Sequence, residues 1–278
     1  MEELKIKAPA KINIGLNVIS KRPDGYHNIE TIFYPLELCD YLTIEQANNF
    51  EFTSNNIGLS SAFDNLIIKA KEKLEEKTGK KINVHIHLDK NIPIGGGLGG
   101  GSSDAASTLT GLNKFLNLNL SDEKLFEIAL SLGSDVPFFL NPKPCFAESR
   151  GEKFIYINFS INHPILIVNP DIHISTKWAY EHLAPQEYKP NLKEIMPEHF
   201  KNIKLFKDKI KNDFEKVVFP EYKQVGELKD ELYKNGALFA LMSGSGSTVF
   251  GIFKDNHTAN KVKKIFDNAY FTFIQNYN

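Results

Sequence analysis

Six of the 18 glycines in this 278-residue chain stand within seven positions: Gly95, Gly96, Gly97, Gly99, Gly100 and Gly101. Only Leu98 interrupts them, and Ser102, Ser103, Asp104, Ala105 and Ala106 follow at once. Glycine loses more backbone entropy on folding than any other residue, so such a run persists where the chain approaches a ligand closely or takes positive φ. Set before an Ala-rich helix, its N–H groups and the positive end of the helix dipole make a phosphate cradle. A flexible linker would not be pinned between a strand and such a helix. The run lacks the Gly-Lys-Ser/Thr ending of a Walker loop. Gly95, Gly97 and Gly100 satisfy the dinucleotide spacing, but no strand ending in an acidic residue follows ~20 positions on. Asp122, the nearest acid there, falls in the cap of the next helix.

Two further residues have chemistry suited to phosphoryl transfer. Asp135 follows the helix that ends at Leu132-Gly133 and precedes the apolar run Val136 to Leu140. A carboxylate there either caps locally or accepts the proton of an attacking hydroxyl. Lys11 lies on an alternating strand and shares a face with Asn13, which leaves it either solvated or aimed at transition-state oxygens. Composition sharpens that choice, because Arg22 and Arg150 are the only arginines among 33 basic residues. An anion site here must rely mostly on lysine and backbone N–H groups. Tyr26 and His27 form an aromatic pair at the exit of the Asp24-Gly25 turn. His85 and His87 point away from the apolar side of their strand and read as solvent-facing, not as ligands.

The elements that must position these residues are legible from periodicity. Ile12, Ile14, Leu16 and Val18 alternate with polar residues or glycine, which predicts a half-buried strand ending at the turn Lys21 to Gly25. Asn28 to Leu38, Tyr41 to Glu45 and Ile82 to Leu88 read as further strands, and Asn65 to Thr78 as a helix capped by Asp64 and closed by Gly79. Helices are expected over Ser102–Leu116 and Ser121–Leu132, the second capped by Ser121. Val136 to Leu140 reads as strand-like. A strand pair follows at Cys145–Ala147 and Lys153–Asn158, then a strand over Ile165–Val168. Leu192 to Asn235 is helical and carries ten lysines against nine acids, a solvated surface and not a basic patch. The C-terminal part reads strand, Gly/Ser hairpin at Ser243–Ser247, strand, helix, strand. A boundary between two lobes is expected within Asn158 to His163.

Apolar residues make up 42% and charged residues 24% of the chain, which excludes disordered, collagenous and coiled-coil classes. The net charge of −1 offers no basic field for nucleic acid or an acidic membrane surface. Met1 to Lys5 lacks a signal-peptide pattern, and no apolar run approaches the ~20 residues of a membrane span. Cys39 and Cys145 form neither a metal spacing nor a disulfide framework, so the chain is read as cytoplasmic. The expected partner is a small molecule, with no nucleic acid and no membrane; the oligomeric state is not legible.

The block Pro93, Ile94, Gly95, Gly96, Gly97, Leu98, Gly99, Gly100, Gly101, Ser102, Ser103, Asp104, Ala105, Ala106 resembles the phosphate-binding motif of the GHMP small-molecule kinases. Ala8-Pro9-Ala10-Lys11-Ile12-Asn13 and Met242-Ser243-Gly244-Ser245-Gly246-Ser247-Thr248 resemble two other signatures of that family, in the expected order. Three more segments resemble members that act on an alcohol carrying a cytidyl group. They are Lys11 to Leu16, Arg22-Pro23-Asp24-Gly25-Tyr26-His27 and Leu132 to Phe139, and the likeness covers essentially the whole chain.

The resemblance implies an α+β, two-lobed GHMP kinase fold with its active site in the cleft between lobes. An N-terminal ATP-binding lobe would span 1–158 and a C-terminal lobe on the substrate side 159–278. The implied reaction is ATP-dependent phosphorylation of a hydroxyl in isoprenoid precursor synthesis. Mg²⁺ would accompany the ATP phosphates; its protein ligand is left open, with Ser103 a candidate. Lys11 and Asp135 are the implied catalytic pair. ATP would be held by Pro93, Ile94, Gly95, Gly96, Gly97, Leu98, Gly99, Gly100, Gly101, Ser102 and Ser103, with Asn65 and Lys90 near the adenine. Asn13, Tyr26, His27 and Tyr180 are implied substrate contacts. Tyr26 and Tyr180 would sandwich a cytosine, Trp178 being the alternative to Tyr180, while His27 bonds the base edge. The Ser243 motif would support the phosphate loop from the other lobe. A GHMP kinase for another small alcohol and a non-catalytic nucleotide-binding protein of the same fold are the alternatives. Tyr26 and His27 count against the first, Lys11 and Asp135 against the second.

Overall fold

Alternation of apolar and polar side chains builds two long strands first. In the computed structural model, which describes residues 3–60, 65–184, 192–193, 203 and 206–276, β1 (Glu3–Lys21) pairs with β2 (His27–Gln46). The two strands expected over 28–45 are one, because the alternation continues through residues 39 and 40 with Asp40 on the buried side. There follow β3 (Glu51–Ser54), α1 (Ile57–Ser60), α2 (Leu66–Thr78), β4 (Val84–Asp89), α3 (Gly100–Phe115), α4 (Asp122–Leu132) and a 3₁₀ helix (Val136–Leu140). The remainder is β5 (Cys145–Ser149), β6 (Lys153–Tyr156), β7 (Ile165–Asn169), α5 (Thr176–His182), α6 (Phe206–Lys209), α7 (Glu215–Glu221), α8 (Lys223–Lys234), β8 (Phe239–Met242), β9 (Val249–Ile252), α9 (Asn256–Phe266) and β10 (Phe271–Gln275).

Contacts group these elements into two compact units: Met1–Ala10, Glu37–Ile92 and Gly99–Pro142 in the first, Lys11–Leu36, Pro93–Leu98 and Lys143–Asn278 in the second. The grouping does not follow a division at residue 158. β1 and β2 each run through both units, so residues 11–36 group with the C-terminal part.

In the first unit, β2 pairs antiparallel with β4 from Tyr41↔Asp89 to Gln46↔Val84, and β3 lies parallel on the other edge of β4. α3 packs on this sheet so closely that a Cβ at Gly111 would collide with the side chains of Ile6 and Ile44. Ile44, Ile86, Leu109 and Leu112 are fully buried there, each such side chain contributing roughly 1.5–3 kcal/mol by removal from water. The cap of α2 is Asn65, whose Oδ1 accepts the Ile67 N–H at 2.9 Å; Asp64, expected in that role, lies outside the described residues. Val136 to Leu140, expected as strand-like, is the 3₁₀ helix. Pro137 has no N–H for a sheet ladder and its fixed φ suits a helical first turn.

In the second unit, β5 pairs antiparallel with β2 from Ile29↔Ser149 to Phe33↔Cys145, and β6 turns back along β5. A separate antiparallel sheet has the order β10-β7-β9-β8. Leu166, Val168, Leu228, Leu232, Val249 and Val262 share one core with it. No helix among the described residues is long and apolar enough to cross a membrane. Parts of the lysine-rich stretch 192–235 lie outside the described residues; α6, α7 and α8 are its described helices.

Candidate active site

The glycine run is held at both ends by different chemistry. On the second unit, the Leu98 carbonyl accepts the Lys11 N–H at 2.9 Å, and the Gly97 carbonyl accepts the Ser243 hydroxyl at 2.9 Å. The Thr248 N–H donates to the Gly96 carbonyl at 3.2 Å, and Asn169 Nδ2 holds the Thr248 hydroxyl at 2.9 Å. Gly97 has φ +77°, and a Cβ there would be driven into the Ser243 carbonyl, so glycine is required on both counts. The turn at residues 243–248 is therefore the anvil on which residues 96 and 97 are shaped. Ile94, just before it, is half exposed and Leu98 is buried.

Lys11 is 3% exposed, which removes the solvated reading. Its ammonium donates to Asn13 Oδ1 at 2.5 Å and to the Gly97 carbonyl at 3.4 Å, and lies 5.1 Å from the Phe33 ring centroid. Asn13 is itself oriented by its Nδ2 donating to Thr31 Oγ1 at 2.9 Å, and Thr31 donates on to the Gly15 carbonyl at 2.6 Å. With both ends of its amide engaged, Asn13 acts here as the holder of Lys11.

On the first unit, the run continues as Gly99 to Gly101 into α3, where the Ser103 N–H donates to the Gly99 carbonyl at 2.9 Å. Ser102 is half-buried in the first turn; Ser103 is fully buried and its Oγ has no hydrogen-bond partner. Beneath this turn sit three buried charges. Lys90 donates to Asp40 Oδ2 and, at 2.9 Å, to Asp104 Oδ2, the side chains being 5%, 0% and 5% exposed. Asp40 Oδ1 also accepts the N–H groups of Asn91 and Ile92 at 2.6 and 2.8 Å. A Cβ at Gly100 would stand 2.8 Å from the Lys90 ammonium, so a side chain there would have to displace that lysine. Burial pushes the Asp104 carboxyl up to about 7; Lys90 opposes the shift and Asp40 adds to it. The Lys90 ammonium, expected near a base, is committed to these carboxylates. Asn65 is likewise committed, its Nδ2 to the Leu59 carbonyl at 3.2 Å and its Oδ1 to the α2 cap.

Asp135 occupies the N-cap position of the 3₁₀ helix, yet its carboxylate makes no capping hydrogen bond. The helix itself is fixed by burial of Val136, Pro137, Phe138 and Phe139.

The aromatic residues gather in the second unit. The His27 ring stacks on Tyr180 at 4.6 Å and 13°, and Tyr180 meets Phe214 edge-on at 4.8 Å. Trp178 instead stacks on His182 and abuts Tyr222, so Tyr180 is the aromatic that meets the Tyr26-His27 pair. The stacking partner of Tyr180 in this structure is His27 and not Tyr26, a residue that is 49% exposed. Burial, and then Lys21, hold His27 below its ordinary pKa, so the ring is neutral at pH 7 and can both donate and accept. His85 and His87 are half-buried and share the Thr53 hydroxyl at 2.8 Å each, a polar network rather than open solvent.

The chain matches the GHMP kinases N terminal domain over residues 65–142 and the GHMP kinases C terminal domain over 189–272. It is 44% identical to the 4-diphosphocytidyl-2-C-methyl-D-erythritol kinase of Bacteroides fragilis over 259 residues, covering 91% of this chain and 93% of that one. Identity with the enzyme of the same name from Cytophaga hutchinsonii is 46%, covering 88% and 90%. The chain belongs to the 4-diphosphocytidyl-2-C-methyl-D-erythritol kinase family of GHMP kinases. A crystal structure of 4-(cytidine 5'-diphospho)-2C-methyl-D-erythritol kinase superposes with TM-score 0.84 at 30% identity over 98% of both chains. Mevalonate kinase from Staphylococcus aureus shares the fold, with TM-score 0.70 at 17% identity.

As a GHMP kinase the protein is a small-molecule kinase with ATP as phosphate donor. The family motifs account for the glycine run and for the Ser243 turn that shapes it. They include Asp104 without marking it as buried against Lys90, and they do not point to Asp40 or Arg150. Asp40 had a signal in the sequence, since it falls on the apolar parity of Leu36, Leu38, Leu42 and Ile44. An acid on that face must find a partner or remain neutral. Arg150 had only its rarity.

Proposed function

We propose that this kinase transfers the γ-phosphoryl group of ATP to the C2 hydroxyl of 4-diphosphocytidyl-2-C-methyl-D-erythritol, in non-mevalonate isoprenoid precursor synthesis. The observation that carries the choice of substrate is the His27–Tyr180 stack, with the exposed Tyr26 next to His27 in the chain: rings and a hydrogen-bonding edge suited to a pyrimidine. It belongs to the same compact unit as Lys11 and the Gly95–Leu98 segment.

In the proposed mechanism Asp135 takes the proton of the C2 hydroxyl as its oxygen bonds to the γ-phosphorus. The bond from that phosphorus to the β,γ-bridging oxygen breaks, and ADP leaves with the electron pair. Lys11, held by Asn13, supplies positive charge to the transferring oxygens. The backbone of Gly95 to Gly101 and the N-terminus of α3 hold the phosphate chain. Mg²⁺ on the nucleotide would neutralise charge developing on the phosphates. Among the described residues no three His, Cys, Asp or Glu side chains form a metal cluster. The buried, unpartnered Ser103 Oγ in the first turn of α3 fits Mg²⁺ as a protein ligand. Cys39 and Cys145 are free thiols, and burial pushes Cys145 up to about 12; both suit a reducing, cytoplasmic setting.

Purified protein incubated with ATP and single alcohols tests the reading through ADP release. ADP should appear with the cytidyl substrate and not with mevalonate or homoserine. Turnover of either of those, or silence with the cytidyl substrate, would reject it.

A further inference from the structure

Both arginines of the chain converge on one turn. Arg22 grips Asp24 through Nε and Nη2 at 3.1 and 2.9 Å, and its Nη1 donates to Ser149 Oγ at 2.9 Å. Arg150 stands with its guanidinium carbon 3.7 Å from the centroid of the Tyr26 ring. The register of the sheet explains the meeting. Ile29 pairs with Ser149, so residue 150, one step beyond, comes opposite the residues that precede Ile29. The β5–β6 turn is built to hold that position. Ser149 has φ +68° and Gly151 φ +104°, the Ser149 hydroxyl donates to Glu152 Oε1 at 3.0 Å, and the Arg150 N–H donates to Glu152 Oε2 at 2.7 Å. On the other side, the Tyr26 N–H donates to Asp24 Oδ1 at 3.1 Å and the Arg22 N–H to the Tyr26 carbonyl at 2.8 Å.

We infer that Arg150 is a positioning residue for the pyrimidine-binding aromatic: its guanidinium plane backs one face of Tyr26 and presents the rest of the ring to the base. The inference rests on the proposed role of Tyr26 in binding the cytidyl group. A guanidinium suits this task because it is planar, weakly hydrated and permanently charged, and lies flat on an aromatic face where an ammonium cannot. Tyr26 is 49% exposed even with Arg150 against it; without that backing the ring would sample several rotamers, and ordering it at the moment of binding lowers affinity. Preorganisation by Arg150 removes that loss and predicts an effect on substrate affinity alone.

The test measures Michaelis constants for 4-diphosphocytidyl-2-C-methyl-D-erythritol and for ATP in Arg150→Ala, Arg150→Lys, Tyr26→Ala and the double variant Tyr26→Ala/Arg150→Ala. Arg150→Ala should raise the constant for the cytidyl substrate by roughly 2–5-fold, the scale of an exposed cation–π contact, with that for ATP unchanged. Arg150→Lys, which keeps the charge and loses the plane, should fall between Ala and the parent. In the Tyr26→Ala background the Arg150→Ala change should have no further effect. Equal effects of Arg150→Ala with and without the ring, or none in the parent, would overturn the inference while leaving the pyrimidine reading intact. A parent-like constant in Tyr26→Ala would instead reject the pyrimidine reading itself.

Discussion

Replacing Asp104 by Asn should make the protein more stable, and by an amount that grows with pH. In the parent, one ammonium serves two carboxylates, and Lys90, Asp40 and Asp104 are nearly excluded from solvent. Burial raises the Asp104 carboxyl from 3.8 to about 7. An acid with a raised folded pKa binds its proton more tightly in the native state. Its ionisation therefore costs no stability below pH 3.8, costs progressively more up to about pH 7, and is constant above. At about 1.4 kcal/mol per pH unit, the penalty reaches about 4 kcal/mol, of which about 3 accrue between pH 5 and pH 8. Asn is nearly isosteric, keeps an oxygen for Lys90 and carries no charge. Urea unfolding of parent and Asp104→Asn, followed by the helical far-ultraviolet signal at pH 5 and pH 8, reports as a difference of differences the effect of this carboxyl on the Lys90–Asp40–Asp104 cluster. The variant should gain about 3 kcal/mol on the parent over that interval. A stability difference that stays constant across it would show that Asp104 ionises normally and that Lys90 fully compensates both acids.

Asp135→Asn should lower kcat by at least ~10², the scale of a positioned general base, with ATP binding retained; near-parental turnover in a steady-state assay removes Asp135 from the chemistry. Gly97→Ala must place a Cβ against the Ser243 carbonyl at positive φ, a strain of roughly 1–2 kcal/mol before the clash. Weaker ATP binding by calorimetry is expected, and an unchanged dissociation constant would mean that residues 96–97 do not contact nucleotide. His27→Ala and Tyr180→Ala each remove one ring of the 4.6 Å stack, and each should raise the Michaelis constant for the cytidyl substrate while that for ATP holds. The effect should be roughly 5–150-fold, corresponding to about 1–3 kcal/mol per lost base contact, and an unmoved constant in both places the base elsewhere.

Local pattern carried much of this molecule. The density of glycines at 95–101, with serine and alanine after it, predicts a segment of positive φ and close approach, because glycine's entropic cost is otherwise unreturned, and the structure has positive φ at Gly95, Gly97 and Gly99. The C-terminal alternation of strand, helix and strand came out of periodicity alone, since each element has one buried face. The apolar run Val136 to Leu140 has the pattern of a strand, yet Pro137 makes it a 3₁₀ helix, and Asp40 interrupts an apolar pattern that is one strand. Other features belong to contacts between residues more than eighty positions apart, which no local pattern encodes. The burial of Lys11 under Gly97, the shaping of that glycine by Ser243, and the stacking of His27 on Tyr180 are of this kind. So is Arg150 over Tyr26. A lysine on an alternating strand is solvated or buried depending on what folds over it, and for Lys11 only the tertiary structure decides.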